Sequence, residues 1–151
     1  YDLNSVPDGS PFTIHLVVSQ WNKEITTPLS EGAIETLKKH GVRVENIKLW
    51  EVPGSFELIY GAKKAQSLNP DAVIAVGSVI KGETMHFDFV CQAVSQGIKD
   101  LNVASEVPVI FCVLTDDTVQ QAKDRSGGKH RNKGTEAAVA ALQMSQLRAA
   151  Q

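Results

Sequence analysis

The chain has 151 residues, of which 42% are hydrophobic and 21% are charged, and its formal net charge is -2. This length predicts one domain, with enough apolar residues for a core that needs no metal or disulfide. The near-neutral charge argues against nucleic-acid binding, which needs a clustered basic face, and no apolar run is long enough to cross a bilayer.

Two further features bound the organisation of the chain. Residues 1–11 are predicted to form an N-terminal arm, either flexible or a strand that needs a partner, ahead of a single domain at 12–151. The two cysteines, Cys91 and Cys112, have apolar neighbours and lack the spacing of metal ligands. They are therefore predicted to be buried free thiols of a reducing compartment, the cytoplasm, or the plastid if the source is a plant.

The domain begins with a strand and a helix. Apolar and β-branched residues at 12–19 predict a buried strand. The next helix is predicted to begin after a cap at Thr26 or Thr27, because Pro28 is tolerated only near a helix start, and to stop at Gly41.

The same pattern of short apolar runs and longer amphipathic segments continues to the C-terminus. Three more strands are predicted at 44–52, 72–79 and 108–114. Four more helices are predicted at 56–67 after a Ser55 cap, at 84–101, up to Arg125 from a start at Asp116 or Thr118, and at 135–149.

Alternating strands and helices predict an α/β fold, a single-domain three-layer sandwich with a parallel four-stranded sheet and helices on both faces. Ligands of such folds bind beyond the carboxyl ends of the strands. The predicted strand ends carry polar segments at 21–22, 53–57, 78–86 and 114–117. The candidate site is therefore expected at this edge of the sheet.

Residues 77–84 superficially fit a nucleotide-binding P-loop, but Glu83 stands where the essential lysine belongs. A carboxylate would repel nucleotide phosphates, so an NTPase is rejected. Gly82, Glu83 and Thr84 remain candidates for binding one phosphate at a helix N-terminus, with a plain glycine turn and threonine cap as the alternative. His86 beside them is either a proton-transfer group or a packed helix residue.

Aromatic and polar residues follow the first two strands. Trp21 is suited to stacking on a planar heterocycle while Asn22 binds a polar tail, although structural packing explains Trp21 equally well. Ser55 and Glu57 are suited to binding the hydroxyls of a polyol, and Glu57 is also a typical surface helix residue.

A basic, glycine-rich stretch precedes the last helix. It contains Arg125, Lys129, Arg131 and Lys133. This composition suits one phosphate or another anion, and a solvated basic loop explains it equally well.

Together these residues resemble the lumazine synthase family from about Phe12 to about Leu147. The resemblance is carried by Trp21-Asn22, Val52 to Leu58, Gly77 to Phe87, Pro108 to Phe111, and Arg125 with Asn132 to Gly134. Each motif is modest, but their joint order and spacing are specific. The resemblance implies a flavodoxin-like sheet and an enzyme of riboflavin biosynthesis.

The implied reaction is a transferase reaction with no metal and no redox cofactor. In it, 5-amino-6-(D-ribitylamino)uracil condenses with 3,4-dihydroxy-2-butanone 4-phosphate to 6,7-dimethyl-8-ribityllumazine, and phosphate is released. The alternative is a catalytically weak flavin- or lumazine-binding shell protein of the same fold. The presence of His86, Arg125 and Lys133 argues against lost chemistry. A receiver-type signalling module would need acidic residues where Gln20, Trp21 and Asn22 stand.

The resemblance also assigns roles to individual positions. The catalytic positions are His86, Arg125 and Lys133. The substrate-binding positions are Trp21, Asn22, Ser55, Phe56, Glu57, Val79, Ile80 and Phe111. The phosphate-binding positions are Gly82, Glu83, Thr84 and Arg125. Phe111 and Lys133 match residues that the adjacent subunit contributes, so a homo-oligomer is expected.

Members of the family form pentamers, and some pack twelve pentamers into an icosahedral 60-subunit capsid. The short form of residues 126–133 favours the capsid here. Riboflavin synthase is the implied protein partner, beside the two small-molecule substrates.

Overall fold

The computed structural model describes residues 3–82, 86–128 and 131–150. It contains a four-stranded sheet with strand order β2-β1-β3-β4, in which every neighbouring pair is parallel. The strands are β1 (Ile14–Ser19), β2 (Ile47–Val52), β3 (Ala72–Ile80) and β4 (Val109–Asp116). The predicted parallel sheet of four strands is therefore confirmed.

Five α-helices and a small ribbon complete the described part of the chain. The helices are α1 (Lys23–Lys39), α2 (Leu58–Gln66), α3 (His86–Ala104), α4 (Val119–Arg125) and α5 (Lys133–Ala149). The ribbon pairs β5 (Ser126–Gly128) with β6 (Arg131–Asn132) in antiparallel fashion. Short 3-10 turns lie at Leu3–Ser5 and Val44–Asn46, so β2 begins later than predicted.

The sheet separates two hydrophobic cores. Along β1, Ile14, Leu16 and Val18 point into one core, whereas Val17 points into the other, since successive side chains of a strand alternate between faces. Residues of α1, α4 and α5 close the first core, and residues of α2 and α3 close the second. This arrangement confirms the three-layer α/β sandwich.

The start of α1 differs from its prediction. The helix begins at Lys23, directly after Asn22, whose φ of 62° turns the chain out of β1. The Thr26 hydroxyl donates a hydrogen bond to the carbonyl oxygen of Ser19 at 3.0 Å and does not cap the helix. Pro28 consequently lies inside α1, where it removes one backbone hydrogen bond near the N-terminus.

Helix caps are only partly as predicted. Ser55 does not cap α2, which begins three residues later at Leu58. Thr118 does cap α4, in a capping box with Gln121. Helix α5 begins at Lys133, earlier than predicted, because the side chain of Asn132 accepts hydrogen bonds from the first turn.

Part of the predicted N-terminal arm packs on the domain. Pro7 and Gly9 are buried, and the Gly9 N–H donates to the carbonyl oxygen of His40 at 2.7 Å. A Cβ at Gly9 would lie 2.5 Å from Cγ2 of Val42, so the close approach requires glycine. In the single chain described, Pro7 and Gly9 therefore pack on the domain and are not part of a strand.

The cysteines also differ from each other. Both are free thiols, but Cys91 is only partly buried, contrary to the prediction, because α3 leaves that face incompletely covered. Cys112 is buried in β4, and burial raises its pKa to about 12. None of the described helices combines the length and apolar character needed to cross a membrane.

Candidate active site

A cavity of about 570 Å³ lies beyond the carboxyl ends of β1 and β3. Twelve residues line it: Trp21, Asn22, Ser55, Phe56, Glu57, Ser78, Val79, Ile80, His86, Phe89, Val90 and Ala93. Eight of them were predicted as site residues, namely Trp21, Asn22, Ser55, Phe56, Glu57, Val79, Ile80 and His86. The expected edge of the sheet therefore brings together residues that are far apart in the chain.

Aromatic side chains dominate the walls of the cavity. Trp21 is 66% exposed, Phe56 is 56% exposed and Phe89 is 65% exposed. Large apolar groups grouped around a concave space commonly mark a ligand site, since their burial by a ligand is favourable. Their flat faces suit a planar heterocycle.

Gly54 sets the position of the Trp21 ring. A Cβ at Gly54 would lie 2.5 Å from Cε3 of Trp21, which no real Cβ contact permits. The Trp21 N–H donates to the carbonyl oxygen of Pro53 at 3.0 Å, so the backbone is held beside the same turn. The proline-glycine turn after β2 therefore fixes the position of the indole ring.

Glu57 is oriented by the same turn. Its Oε1 accepts a hydrogen bond from the Gly54 N–H at 2.9 Å. The carboxylate is acceptor-only when ionised, and this bond uses only part of its acceptor capacity. Its remaining capacity is suited to accepting hydrogen bonds from ligand hydroxyls at the cavity wall.

The carbonyl oxygen of Ser78 joins two predicted site residues. Asn22 Nδ2 donates to this oxygen at 3.0 Å, and the Ser55 hydroxyl lies 3.5 Å from it, at the limit of a hydrogen bond. The hydroxyl of Ser78 is buried without a hydrogen-bond partner among the described residues. An unsatisfied buried hydroxyl of this kind is a typical partner for an ordered water molecule.

His86 and three further residues share one face of α3. His86, Phe89, Val90 and Ala93 are spaced by three, four and seven positions, which places them on the same side of a helix. Of these four residues, only His86 was predicted from the sequence to belong to the site. Helical spacing from His86 was the signal that could have identified the other three.

The predicted phosphate segment is described only in part. Gly82 is exposed, and no atom of the described residues lies within 4 Å of the position its Cβ would take. Glu83 and Thr84 lie outside the described residues. The Lys81 N–H donates to the carbonyl oxygen of Asp116 at 2.9 Å, which ties the start of this segment to the end of β4.

Arg125, Phe111 and Lys133 do not line the cavity. Arg125 lies in a separate hollow of about 370 Å³ and donates from Nη1 to Oδ1 of Asp116 at 2.7 Å. Phe111 is 43% exposed on the edge strand β4, and Lys133 pairs with Glu136. The grouping of Arg125 with Gly82 and His86 in one pocket of one chain is therefore not observed.

Within the described residues, no group of three or more histidine, cysteine, aspartate or glutamate side chains could hold a metal ion.

Comparisons with known proteins agree with the family resemblance that the motifs of the sequence carry. The family described as 6,7-dimethyl-8-ribityllumazine synthase matches residues 11–149. A protein of Christiangramia forsetii with that name is 59% identical over 150 residues, covering 98% of this chain and 89% of its own length. Those of Flavobacterium psychrophilum and Parabacteroides distasonis are 59% and 56% identical, covering 98% and 95% of this chain and 79% and 91% of their own lengths.

Proposed function

Because the chain belongs to the 6,7-dimethyl-8-ribityllumazine synthase family, we propose that it is a transferase of riboflavin biosynthesis. It condenses 5-amino-6-(D-ribitylamino)uracil with 3,4-dihydroxy-2-butanone 4-phosphate and releases 6,7-dimethyl-8-ribityllumazine and phosphate. The observation that carries this proposal is the single cavity lined by Trp21, Glu57 and His86, which combines an aromatic wall, a carboxylate and an imidazole.

The pyrimidine substrate occupies the aromatic part of the cavity. Trp21 and Phe56 contact its ring, while the backbone at Val79 and Ile80 lies along the ring edge. Asn22, Ser55 and Glu57 bind the ribityl hydroxyls, with further contact available from Ser78. The preset position of Glu57, held by the Gly54 N–H, supports this role because a preorganised acceptor loses little freedom on binding.

The phosphorylated ketone binds through its phosphate. The family resemblance assigns this phosphate to Gly82, Glu83 and Thr84, which precede α3 in the sequence, and N–H groups at a helix N-terminus favour an anion. Arg125 supplies a guanidinium, which matches phosphate geometry. Arg125 is a catalytic residue in this proposal, because it contacts the leaving phosphate.

His86 transfers protons during the reaction. Formation of an imine and β-elimination of phosphate each move a proton, and imidazole is the side chain that ordinarily exchanges protons near neutral pH. The two substrates react readily once they are held together, so positioning supplies much of the rate. His86 therefore accelerates a reaction that the rest of the site already favours.

The active enzyme is a homo-oligomer. Phe111 and Lys133 complete the site from an adjacent subunit, which is consistent with their position outside the cavity of their own chain. We expect pentamers assembled into an icosahedral capsid, with riboflavin synthase as a partner. The free thiols of Cys91 and Cys112 suit a reducing compartment such as the cytosol.

A direct assay tests the function. Purified, assembled protein is incubated with both substrates while lumazine fluorescence and released phosphate are measured. We expect both products in equal amounts, and neither when one substrate is omitted. Folded, assembled protein that binds the pyrimidine but forms neither product would overturn the proposal and favour a binding protein of the same fold.

Light scattering tests the assembly separately. Five chains of 16.3 kDa give about 80 kDa, and sixty give about 1,000 kDa. A particle of about 80 kDa would exclude the capsid and leave the pentamer.

A further inference from the structure

Asp116 is a buried carboxylate at the last position of β4. Its side chain is 4% exposed, and its Oδ1 accepts a hydrogen bond from Nη1 of Arg125 at 2.7 Å. Its Oδ2 is buried without a hydrogen-bond partner among the described residues. A buried carboxylate is costly unless it is paired, so the contact with Arg125 compensates its charge and each group restricts the other.

The backbone of Asp116 makes a second connection. Its carbonyl oxygen accepts a hydrogen bond from the Lys81 N–H at 2.9 Å, just after Ile80, which lies opposite Asp116 in the register of β3 and β4. Asp116 therefore contacts both the segment that leads to Gly82 and the guanidinium of Arg125. These are the two parts of the chain to which phosphate binding is assigned above.

We propose that Asp116 is the positioning residue that orients Arg125 for the phosphate of the substrate. The proposal rests on the proposed function, since it takes Arg125 as a phosphate ligand. A guanidinium carries five N–H donors in a rigid fork, and the single bond to Oδ1 uses one of them. The remaining donors stay available in a fixed direction, and the rotamers of the long side chain are restricted before the ligand arrives.

Charge and orientation act in opposite directions here. The negative charge of Asp116 repels a phosphate, whereas the fixed position of Arg125 favours its binding. The Arg125 guanidinium contacts the Asp116 carboxylate and therefore compensates part of the charge that repels a phosphate. An unrestrained arginine side chain gives up substantial rotamer freedom on binding. Orientation therefore outweighs repulsion.

The test uses Asp116→Asn, which keeps the size of the side chain and one oxygen acceptor but removes the charge. We expect the KM for the phosphorylated ketone to rise about tenfold, while kcat and the KM for the aminouracil stay within about twofold. The Kd of inorganic phosphate, measured by calorimetry on the assembled protein, should rise by a similar factor. An unchanged or lower KM and Kd would overturn the proposal.

Asp117→Asn is the matched control, because it removes the same charge from the same hollow at the adjacent, exposed residue. We expect it to raise neither KM value. An equal rise in both variants would mean that net charge is responsible and would overturn the proposal. In an Arg125→Ala background, Asp116→Asn should no longer change the Kd of phosphate, and a persisting tenfold effect would also contradict it.

Arg125→Lys keeps the proposal testable if Asp116→Asn does not assemble. This variant retains the positive charge but loses the rigid fork, and we expect the KM for the ketone to rise about tenfold. An unchanged KM would overturn the proposal. Failure of the proposed function would give a different result, because the wild-type protein would then form no product. Failure of the proposal on Asp116 would leave the wild-type protein active and would be seen only in the variants.

Discussion

Two regions at the carboxyl edge of the sheet have opposite character. The cavity beyond β1 and β3 measures about 570 Å³ and has exposed aromatic walls with one carboxylate, Glu57. The hollow beside β4 and α4 measures about 370 Å³, and its ionic groups are the carboxylates of Asp116, Asp117 and Asp124 and the guanidinium of Arg125. The first suits a planar, uncharged ring, and the second contains the guanidinium suited to an anion.

This difference separates the two substrate types that the proposed reaction joins. A pyrimidine and a phosphorylated ketone need an apolar wall and a cationic group in one space. One chain supplies the wall, but Phe111, Arg125 and Lys133 do not line its cavity. A site completed by an adjacent chain would reconcile these observations, and four experiments test the roles of the two regions.

The largest effect is expected from mixing two inactive variants. Glu57→Ala damages the cavity, and Lys133→Ala removes a proposed catalytic residue that does not line the cavity of its own chain, so each protein alone should be nearly inactive. If adjacent chains share a site, equal amounts refolded together should recover about one quarter of wild-type activity, because a quarter of the sites combine two intact halves. Activity no higher than the mean of the two parents would show that each chain uses its own Lys133, and wild-type protein refolded alone is the control.

We expect His86 in the cavity to act mainly in the chemical step and Arg125 in the hollow to act mainly in binding of the ketone. His86→Ala should lower kcat about 100-fold and leave measurable turnover, because positioning by the remaining residues persists. Arg125→Ala should mainly raise the KM for the phosphorylated ketone. Steady-state kinetics with each substrate varied in turn distinguishes these effects. Complete and equal loss of activity in both variants, with assembly intact, would contradict the separate roles.

A smaller effect is expected at the Pro53-Gly54 turn, which fixes the position of the Trp21 indole ring. Gly54→Ala introduces a Cβ 2.5 Å from the Trp21 ring and should displace it. We expect the KM for the aminouracil to rise about tenfold while the KM for the ketone stays unchanged. The double variant with Trp21→Phe should lose this added defect relative to Trp21→Phe alone. If the double variant still showed a KM for the aminouracil about tenfold above that of Trp21→Phe, Gly54→Ala would be damaging another part of the turn and not the position of the Trp21 ring.

The smallest effect concerns stability away from both regions. His15 is buried in β1, and its Nδ1 accepts a hydrogen bond from Nε1 of Trp50 at 3.2 Å, which requires the neutral imidazole. Burial, and then the charge of Lys48, lower the pKa of His15 below its ordinary value of 6.5. Its contribution to stability is therefore complete above pH 6.5 and is lost as the pH falls toward the lowered pKa.

Urea unfolding at a fixed protein concentration measures this dependence. Between about pH 7 and pH 5, the midpoint of wild-type protein should fall more steeply than that of His15→Phe, which does not titrate. Lys48→Gln should also make the fall of the urea midpoint with pH less steep, but by a smaller amount than His15→Phe, because burial is the larger cause of the lowered pKa of His15. Equal slopes in all three proteins would refute this role for His15.

Much of the fold and one wall of the site were predictable from local pattern. The apolar run of β3 identifies a strand covered on both faces, and parallel strands necessarily bring their carboxyl ends to one edge. Trp21, Glu57 and His86 could therefore be placed together before any contact was known. The family resemblance, not the pattern, supplied Val79, Ile80 and Phe56.

Helix starts were less predictable. The pattern favoured a threonine cap for α1 and a Ser55 cap for α2, because these residue types cap helices elsewhere. In the fold, the Thr26 hydroxyl bonds to the carbonyl oxygen of Ser19, seven residues earlier, and Ser55 lies near Ser78 at the end of β3. Residue type alone does not show that partners outside the helix compete with a capping role.

Periodicity and residue type thus determined the sheet, the two helical layers and the edge that carries the chemistry, because these follow from short-range repeats of apolar residues. Packing decided which side chains share a space. The close contact of Gly54 with Trp21 joins segments that are distant in the chain, and the pairing of Arg125 with the buried Asp116 depends on how α4 folds back on the end of β4. Steric fit and the cost of burying a charge act over distances in space, so they become visible only when the chain is folded.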